Sequence, residues 1–395
     1  MSSALSTPTR YVRRMSAIER GYLFASTAGG TPQLIQTVIE GDGRLDPAEL
    51  AHAVEVATDA NPGMAVTRKN SNWRGGGPRP PVTVLPDSTE LVHSDRGDIV
   101  GAAPLYEDID VVRGPVAEIL LQPGPRTRLV VRASHIVTDG RGLQHWLADV
   151  FRVLRGTDPV GSPATVNDTH FLAAAGKVAP VAGTGKIPTQ PTMLGSGPAS
   201  GRPLWVRRTV PAAPKGVTAR IAAAVSGRLP AECGHVLVPV DLRRHDRSID
   251  STANLTAQLL VPVERGGDWR RIHSRLLTGL LRKHEVAQQL GRDFRNTNPF
   301  VNSLTEAAQY TGDAFPAAAI ISDHGPFDLT RYAAPTFAPD TIYTLPMLVP
   351  YVEMFVSAFQ LDDRTELTVG ARERPGAVEA ARALLDDTAA LLLSD

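Results

Sequence analysis

Residues 132–142 read Arg-Ala-Ser-His-Ile-Val-Thr-Asp-Gly-Arg-Gly, and they stand between two regular elements. The β-rich run 128–134 predicts a strand, and the apolar residues at helical spacing after Asp139 predict a long amphipathic helix. His135 is therefore expected at the end of a strand, where the backbone holds its ring but leaves the ring accessible. Since an imidazole is the natural general base near neutral pH, this stretch predicts a base on a braced loop.

Asp139 and Gly140 come at the start of the predicted helix. Asp139 can cap free backbone N–H groups or pair with an arginine, and Gly140 allows a tight turn or the close approach of a substrate. The alternative is ordinary turn and cap chemistry, with His135 structural or merely exposed. A metal shared by His135 and Asp139 is disfavoured because the preceding run is β-rich and further ligands are not nearby, so we expect neither a metal nor a bound cofactor.

Composition narrows the class of protein. The chain has 395 residues, 42% of them hydrophobic, which favours two domains with a sizeable core. Lys plus Arg and Asp plus Glu both number 41, which argues against nucleic acid or an anionic membrane as a partner. The single cysteine, Cys233, excludes an internal disulfide and fits a reducing, cytoplasmic location. No stretch reaches the roughly 18 to 20 apolar residues of a transmembrane segment.

Both halves of the chain mix helices with strands, which predicts an α+β fold. The first domain is assigned to residues 1–160 and the second to residues 204–395, joined by a crossover linker over residues 161–203 that is rich in Gly, Pro, Ser and Thr. In the first half, strands are predicted over residues 33–39, 116–122 and 128–134, and helices after Asp46 and Asp139. In the second half, helices are predicted over residues 215–225 and 269–290 and from Pro375, and strands over residues 235–240, 255–263, 317–322, 352–360 and 366–371.

The stretch His135-Ile136-Val137-Thr138-Asp139-Gly140 resembles the His-His-x-x-x-Asp-Gly signature of the chloramphenicol acetyltransferase-like superfamily. That superfamily includes peptide-synthetase condensation domains, polyketide-associated acyltransferases and wax-ester synthases. Other segments are similar to its motifs in the same order and spacing, over nearly the whole chain: Ser16–Arg20, Asn61–Pro62, Val238–Arg244, Ser251–Asn254 and Ser322–Gly325.

The resemblance implies an α/β sandwich of two similar subdomains that meet in a V, with His135 in the middle of a tunnel between them. An acyl thioester on coenzyme A or on an acyl carrier protein would enter from one face, and an alcohol or amine from the other. His135 would take the proton of the acceptor, and a thiolate would leave without a covalent acyl-enzyme. The resemblance gives Asp139 a structural role, with Arg243 as its expected partner.

This chain departs from the superfamily pattern at two positions. Ser134 replaces the first histidine of the signature, which alters how the loop is braced, and Asp323 stands where many relatives have Asn. Because a carboxylate cannot stabilise an oxyanion, backbone N–H groups or the Ser322 hydroxyl would have to do so. Ser134, Asn254 and Ser322 are therefore candidate substrate contacts. Their alternatives are ordinary turn and strand-end roles, and Arg243 could equally be a solvated charge.

These observations predict an acyltransferase that moves an acyl group from a thioester to a hydroxyl or amine of a small molecule. Ester formation is favoured because the chain looks free-standing. An amide-forming condensation enzyme that acts on carrier-bound substrates is the first alternative. A noncatalytic binding module with the same fold is the second, motivated by Ser134. We expect a monomer without a nucleic-acid partner.

Overall fold

The strand, loop and helix of residues 126–154 lie at the centre of the first half. In the computed structural model, which describes residues 11–27, 32–86, 92–95, 98–101, 103–124, 126–179, 189–290 and 314–394, this strand belongs to a five-stranded sheet. In spatial order the strands are β16 (Phe337–Thr344), β2 (Leu34–Gly43), β9 (Arg126–Ser134), β8 (Ala117–Gln122) and β5 (Val82–Val84). Strands β8 and β9 form the predicted antiparallel hairpin, and β9 pairs with β2 so that Ser134 lies opposite Leu34.

Two helices, α2 (Pro47–Ala60) and α3 (Gly140–Leu154), pack on one face of this sheet. Asp46 caps α2, since its Oδ1 accepts the N–H groups two and three residues later at 2.8 and 3.0 Å. The apolar stripe of α3 is buried against the sheet, with Trp146 and Phe151 fully inaccessible. Both predicted helices are confirmed, and the packing of α3 fixes Asp139 relative to the end of β9.

The second half is built on an eight-stranded mixed sheet. In spatial order the strands are β13 (Thr256–Glu264), β12 (Cys233–Asp241), β15 (Ala317–Pro326), β17 (Val352–Gln360), β18 (Thr365–Arg372), β11 (Pro203–Val210), β7 (Asp98–Gly101) and β6 (Val92–Asp95). Helices α5 (Val217–Gly227), α6 (Trp269–Leu281) and α8 (Ala377–Leu393) cover one face with a continuous apolar core. The other face is turned towards the first half, because Trp205 packs with Val38 and Val130 of the five-stranded sheet.

Shorter elements complete the structure. They are a three-stranded sheet of β1 (Val12–Arg14), β4 (Asn72–Gly75) and β3 (Val66–Lys69), a pair formed by β10 (Gln190–Pro191) and β14 (Ala314–Phe315), and helices α1 (Ala17–Thr27), α4 (Asp168–Ala174) and α7 (His284–Leu290). The structure describes no helix that is both long and apolar enough to cross a bilayer.

The two halves exchange strands across the predicted boundary. Strand β16 comes from the second half and forms an edge of the five-stranded sheet, whereas β6 and β7 come from the first half and extend the eight-stranded sheet. The predicted linker contains α4, whose Phe171 is fully buried next to Leu242 and Leu255. Residues 180–188 of that linker lie outside the described residues, and the domain boundaries stay a prediction.

The predicted single helix over residues 269–290 is wrong. The chain forms α6 and α7 instead, and Lys283 between them adopts a left-handed backbone with φ of 54°. This turn directs α7 onto β13, where the Gln288 side chain accepts the N–H of Leu260 at 3.1 Å. Glu285 is also buried there against His245, at 3.1 Å. The periodicity did not reveal the break because both pieces carry apolar residues on one side.

Candidate active site

His135 lies one residue beyond the end of β9, as the sequence predicts. Its backbone N–H donates to the carbonyl of Gln33 at 2.8 Å, and the N–H groups of Val137 and Thr138 both donate to the carbonyl of Ser134. The chain therefore turns tightly between the strand and Asp139, the N-cap of α3. This turn leaves the His135 side chain half-buried.

The imidazole of His135 is held in one tautomer. Its Nδ1 lies 3.0 Å from both the Thr138 carbonyl oxygen and the Asn254 amide nitrogen. Because the Thr138 carbonyl can only accept, and the Asn254 amide already donates to the His135 carbonyl, we assign the proton to Nδ1 and the lone pair to Nε2. Among the residues that the structure describes, none hydrogen-bonds to Nε2. The ring stacks on Tyr22 with centroids 4.8 Å apart, and the Asn254 amide donates to the His135 carbonyl at 2.6 Å.

The pKa of His135 is lowered, chiefly because burial disfavours the charged ring. The negative charge of Asp139 and the carbonyls beside Nδ1 oppose this shift without cancelling it. The ring is consequently neutral near pH 7, which is the protonation state that a general base requires.

The carboxylate of Asp139 is buried, and both of its oxygens accept hydrogen bonds. Its Oδ1 accepts the N–H of Gly142 at 2.8 Å, which caps α3, and its Oδ2 accepts the N–H of Leu255 at 2.7 Å and Nη1 of Arg243 at 3.0 Å. Burial alone would raise the pKa of this carboxyl, but Arg243 and the two N–H groups more than offset it and lower the pKa. The expected pairing of Asp139 with Arg243 is therefore present in the structure.

Arg243 joins Asp139 to a turn of the second half. Its guanidinium also donates to the carbonyls of Ser251 and Ala253, at 2.9 and 2.7 Å, and to Asp241 at 2.8 Å. Five donors in a rigid fork thus hold the turn that carries Asn254 against the start of α3. The pKa of Arg243 is raised, because these carboxylates outweigh the effect of its burial.

A buried ion pair between β1 and α1 supports the loop that carries His135. Arg13 and Glu19 are both inaccessible to solvent and lie 2.7 Å apart. Arg13 also donates to the Val137 carbonyl at 3.4 Å, and Glu19 accepts the backbone N–H of Asn254 at 3.3 Å. This pair supports the loop in which Ser134 replaces the first signature histidine.

Ser134 and the glycines of the loop have local roles. The Ser134 side chain is buried, and its Oγ accepts the N–H of Ile136 at 3.3 Å, so the structure does not bring it to the accessible edge of His135. A Cβ on Gly140 would lie 3.3 Å from the ring of His324. A Cβ on Gly142 would lie only 2.5 Å from the Thr252 carbonyl, so Gly142, whose role the sequence did not reveal, permits close contact between the halves.

Strand β15 brings Ser322 and His324 to the side that faces the first half. His324 stacks on Phe359 with centroids 4.1 Å apart, and its Nδ1 lies 2.9 Å from the Gln144 amide nitrogen in α3. Asp323 points to the opposite side, where it accepts from Thr218 at 3.0 Å. The side chain at position 323 therefore lies on the face of the sheet away from the first half.

His324 differs from His135 in its protonation. Arg141 donates to the oxygen of the Gln144 amide at 3.4 Å, so the amide nitrogen must donate to Nδ1 of His324 and the proton of that ring sits on Nε2. Burial, reinforced by the charge of Arg141, lowers the pKa of His324 to about 3. His324 is therefore a neutral donor and a poor base.

A cavity of about 130 Å³ lies between the two large sheets. Its walls include Leu34 and Gln36 of β2, Trp205 of β11, and Tyr106, over whose ring the Arg202 guanidinium lies at 4.5 Å. Because Leu34 pairs with Ser134, this cavity adjoins the strand end that carries His135. A larger surface cleft of about 560 Å³ beside α2 includes Pro62, and neither this cleft nor the cavity is lined by His135 or Asp139. Within the described ranges, no three His, Cys, Asp or Glu side chains are grouped so that they could hold a metal ion.

Comparison with solved structures identifies the fold. A variant of the starter condensation domain of rhizomide synthetase RzmA, in complex with C8-CoA and Leu-SNAC, is 14% identical with a TM-score of 0.65 and covers 97% of this chain and 95% of its own. The condensation domain from Monacolin K polyketide synthase MokA is 11% identical with a TM-score of 0.62, and 96% of each chain is covered. The epimerization domain from the third module of tyrocidine synthetase B is 13% identical with a TM-score of 0.62, with 98% of this chain and 97% of that one covered.

The chain therefore has the two-subdomain, chloramphenicol acetyltransferase-like fold of condensation domains, which confirms the predicted fold class. No family model and no curated protein matches the sequence. One of these neighbours is named an epimerization domain, so the likeness defines a fold that carries more than one reaction.

Proposed function

We propose that this chain is an acyltransferase that moves an acyl group from a thioester of coenzyme A or of a carrier protein to a hydroxyl or amine. The observation that carries the proposal is the state of His135: its Nδ1 proton is held by the Thr138 carbonyl, its pKa is lowered, and its Nε2 is left for a substrate. This ring lies on a loop that residues of both halves hold in place. A neutral base held between the two halves of the molecule suits a reaction between two substrates.

In the proposed reaction, Nε2 of His135 takes the proton of the acceptor as its oxygen or nitrogen attacks the thioester carbonyl. The tetrahedral oxyanion then collapses, the carbon–sulfur bond breaks, and the thiolate takes the proton from the imidazolium. No covalent acyl-enzyme forms. Asp139 stays ionised throughout because its pKa is lowered, so it positions the loop and transfers no proton.

The oxyanion needs hydrogen-bond donors on the side opposite the base. The hydroxyl of Ser322 on β15 is our candidate, together with backbone N–H groups. Asn254 has a different role in this proposal: its amide is already committed to the His135 carbonyl at 2.6 Å, so it holds the base rather than the substrate.

Ester and amide formation differ only in the acceptor. The condensation domains among the structural neighbours favour an amine, and the RzmA domain is named as a complex with C8-CoA and Leu-SNAC, a thioester donor and an amine-bearing thioester. Both acceptor classes are therefore kept in the test.

The test offers the purified chain C8-CoA, or the same acyl group on a carrier protein, with a panel of alcohols and amines. Thiol release is followed with a colour reagent and products by intact mass. We expect thiol release that depends on the acceptor, with a product heavier than the acceptor by one acyl group. Binding of thioesters without turnover would favour the noncatalytic module, and thiol release without acceptor would indicate a hydrolase.

A further inference from the structure

Three hydroxyl side chains form a row across the middle of the eight-stranded sheet. In the register of β15, β17 and β18, Ser322 lies opposite Ser357, and Ser357 lies opposite Thr368. Neighbouring strands are about 4.8 Å apart, so the three hydroxyls follow one another at that spacing on one face.

This row faces the first half of the molecule. The residues that alternate with it, Ile321, Val356 and Leu367, belong to the core under α5 and α8, so Ser322, Ser357 and Thr368 point to the other face. On that side, Ile320 belongs to the apolar cluster on which Tyr22 packs, and Tyr22 stacks on His135.

His324, the next residue of β15 on this face, also lies near the start of α3. His324 contacts Gln144 of α3, and its ring lies beside Gly140. Ser322 stands between Ile320 and His324 on this face, and His324 contacts the start of α3, next to the loop of His135. The hydroxyl row therefore begins at the candidate active site.

Two of the three hydroxyls, those of Ser357 and Thr368, are buried without a hydrogen-bond partner in the described part of the chain. Ser357 and Thr368 are each 1% exposed, and within the described part of the chain neither side-chain oxygen makes a hydrogen bond. Leaving a buried hydroxyl unpaired destabilises a protein, whereas alanine or valine would remove that cost. Two adjacent cases on one face indicate that something else on that face pairs with them.

We propose that this row recognises the acyl group of the donor, which carries a hydroxyl or amide close to the thioester carbonyl. The inference rests on the proposed function, in which Ser322 meets the oxyanion. Ser357, one strand further along, and Thr368, two strands further along, then meet a substituent on the second to fourth atoms of the acyl chain. A hydroxyl can both donate and accept, so it pairs with either substituent, whereas a plain alkyl chain leaves both side chains unpaired.

The test compares Ser357→Ala and Thr368→Val with the parent chain on two donors of equal length, 3-hydroxyoctanoyl-CoA and octanoyl-CoA. We expect kcat/KM for the hydroxylated donor to fall about tenfold in each variant, with no fall for the alkyl donor. Thr388→Val is the matched control, because Thr388 is equally buried but bonds only within α8, to the Leu384 carbonyl at 2.8 Å. An unchanged preference between the donors would overturn the proposal.

Two further readouts separate this proposal from the proposed function. If no donor turns over, calorimetric binding of the two thioesters still reports the preference, and equal affinities in parent and variants would contradict the row's role. Urea unfolding should give the same or a higher midpoint for Thr368→Val and a lower one for Thr388→Val. A lower midpoint for Thr368→Val would mean that the protein itself satisfies this hydroxyl, which also overturns the proposal.

Discussion

Two histidines on either side of the same loop are held in opposite tautomers. A carbonyl beside Nδ1 of His135 fixes the proton there, whereas an amide nitrogen beside Nδ1 of His324 fixes the proton on Nε2. An amide nitrogen lies beside Nδ1 in both rings, but only at His135 does a carbonyl oxygen also face Nδ1, and there the Asn254 amide donates to the His135 carbonyl instead. Both rings have a lowered pKa, with burial as the largest cause.

The lowered pKa of His324 has a consequence for stability. The folded ring titrates near pH 3 and the unfolded one near pH 6.5, so between these values the unfolded state binds more protons and stability falls as the pH falls. His324→Asn, which keeps an acceptor near Gln144, should lose less stability than the parent between pH 7 and pH 5. Urea unfolding at both pH values measures this.

The comparison needs a control because other groups titrate in this range. The buried carboxyls of Asp168 and Glu353 have a raised pKa, chiefly through burial, and act in the opposite direction. Only the difference between parent and variant is therefore diagnostic, and His52→Asn, at an exposed position, should behave like the parent. Equal slopes for His324→Asn and the parent would contradict the burial of a neutral ring.

Asp139 is expected to be a costly carboxylate to neutralise. Asp139→Asn leaves the Arg243 guanidinium without its buried partner, so we expect a loss of about 3 kcal/mol in the free energy of unfolding. Asp59→Asn, in an exposed pair with Arg79, should cost less than about 1 kcal/mol. Equal losses, measured by chemical denaturation, would mean that the Asp139 pair does not hold the loop.

The sequence predicts those site residues that belong to short motifs. His135, Asp139 and Arg243 lie where the patterns suggest, and the last two are in contact. Tyr22 and the Arg13–Glu19 pair were not predicted, because only tertiary packing brings them under the loop. The spacing of Ser16 and Glu19 was a usable signal: their mutual hydrogen bonds form a capping box at the start of α1.

Helices and strands whose apolar residues follow one clear period were predicted from the sequence, and elements with an irregular pattern were not. Strand β16 was missed because Pro339 interrupts its pairing with β2 and its exposed and buried residues do not alternate. The break between α6 and α7 was missed because Lys283, rather than glycine, adopts the left-handed conformation there. Such features depend on neighbours distant in sequence.

The first turn of α3 is expected to be sensitive to any larger side chain. Gly142→Ala would push a methyl group against the Thr252 backbone and the Thr138 hydroxyl, so we expect a loss of about 2 kcal/mol and a displaced loop. Gly227→Ala is the matched control, since open space surrounds that position at the end of α5. Equal stabilities of the two variants in urea would show that the halves do not meet closely at Gly142.

At the scale of the whole molecule, the exchanged strands make each sheet depend on both halves. The five-stranded sheet cannot form without residues 337–344, and the eight-stranded sheet includes residues 92–101. Separate unfolding of the two halves would leave apolar edges of both sheets unpaired. We therefore infer that the chain unfolds cooperatively.

Calorimetry of Ile342→Ala tests this cooperativity. Ile342 on β16 is fully buried in the core of the first half, so its truncation should cost about 2 to 5 kcal/mol and lower the midpoint of a single transition. Leu277→Ala, at a position that is 47% exposed on α6, should cost less than about 0.5 kcal/mol. Two resolved transitions, only one of them shifted by Ile342→Ala, would contradict a single unit.

One ratio measures whether the His135 imidazole takes the proton of the acceptor. It is kcat/KM for acceptor-dependent thiol release in the parent chain divided by its value in His135→Ala, with the exposed His52→Ala as the matched control. We expect a ratio of about 100 or more for His135→Ala and about 1 for the control. A ratio below about 3 for His135→Ala, in a variant that remains folded, would show that His135 is not the base.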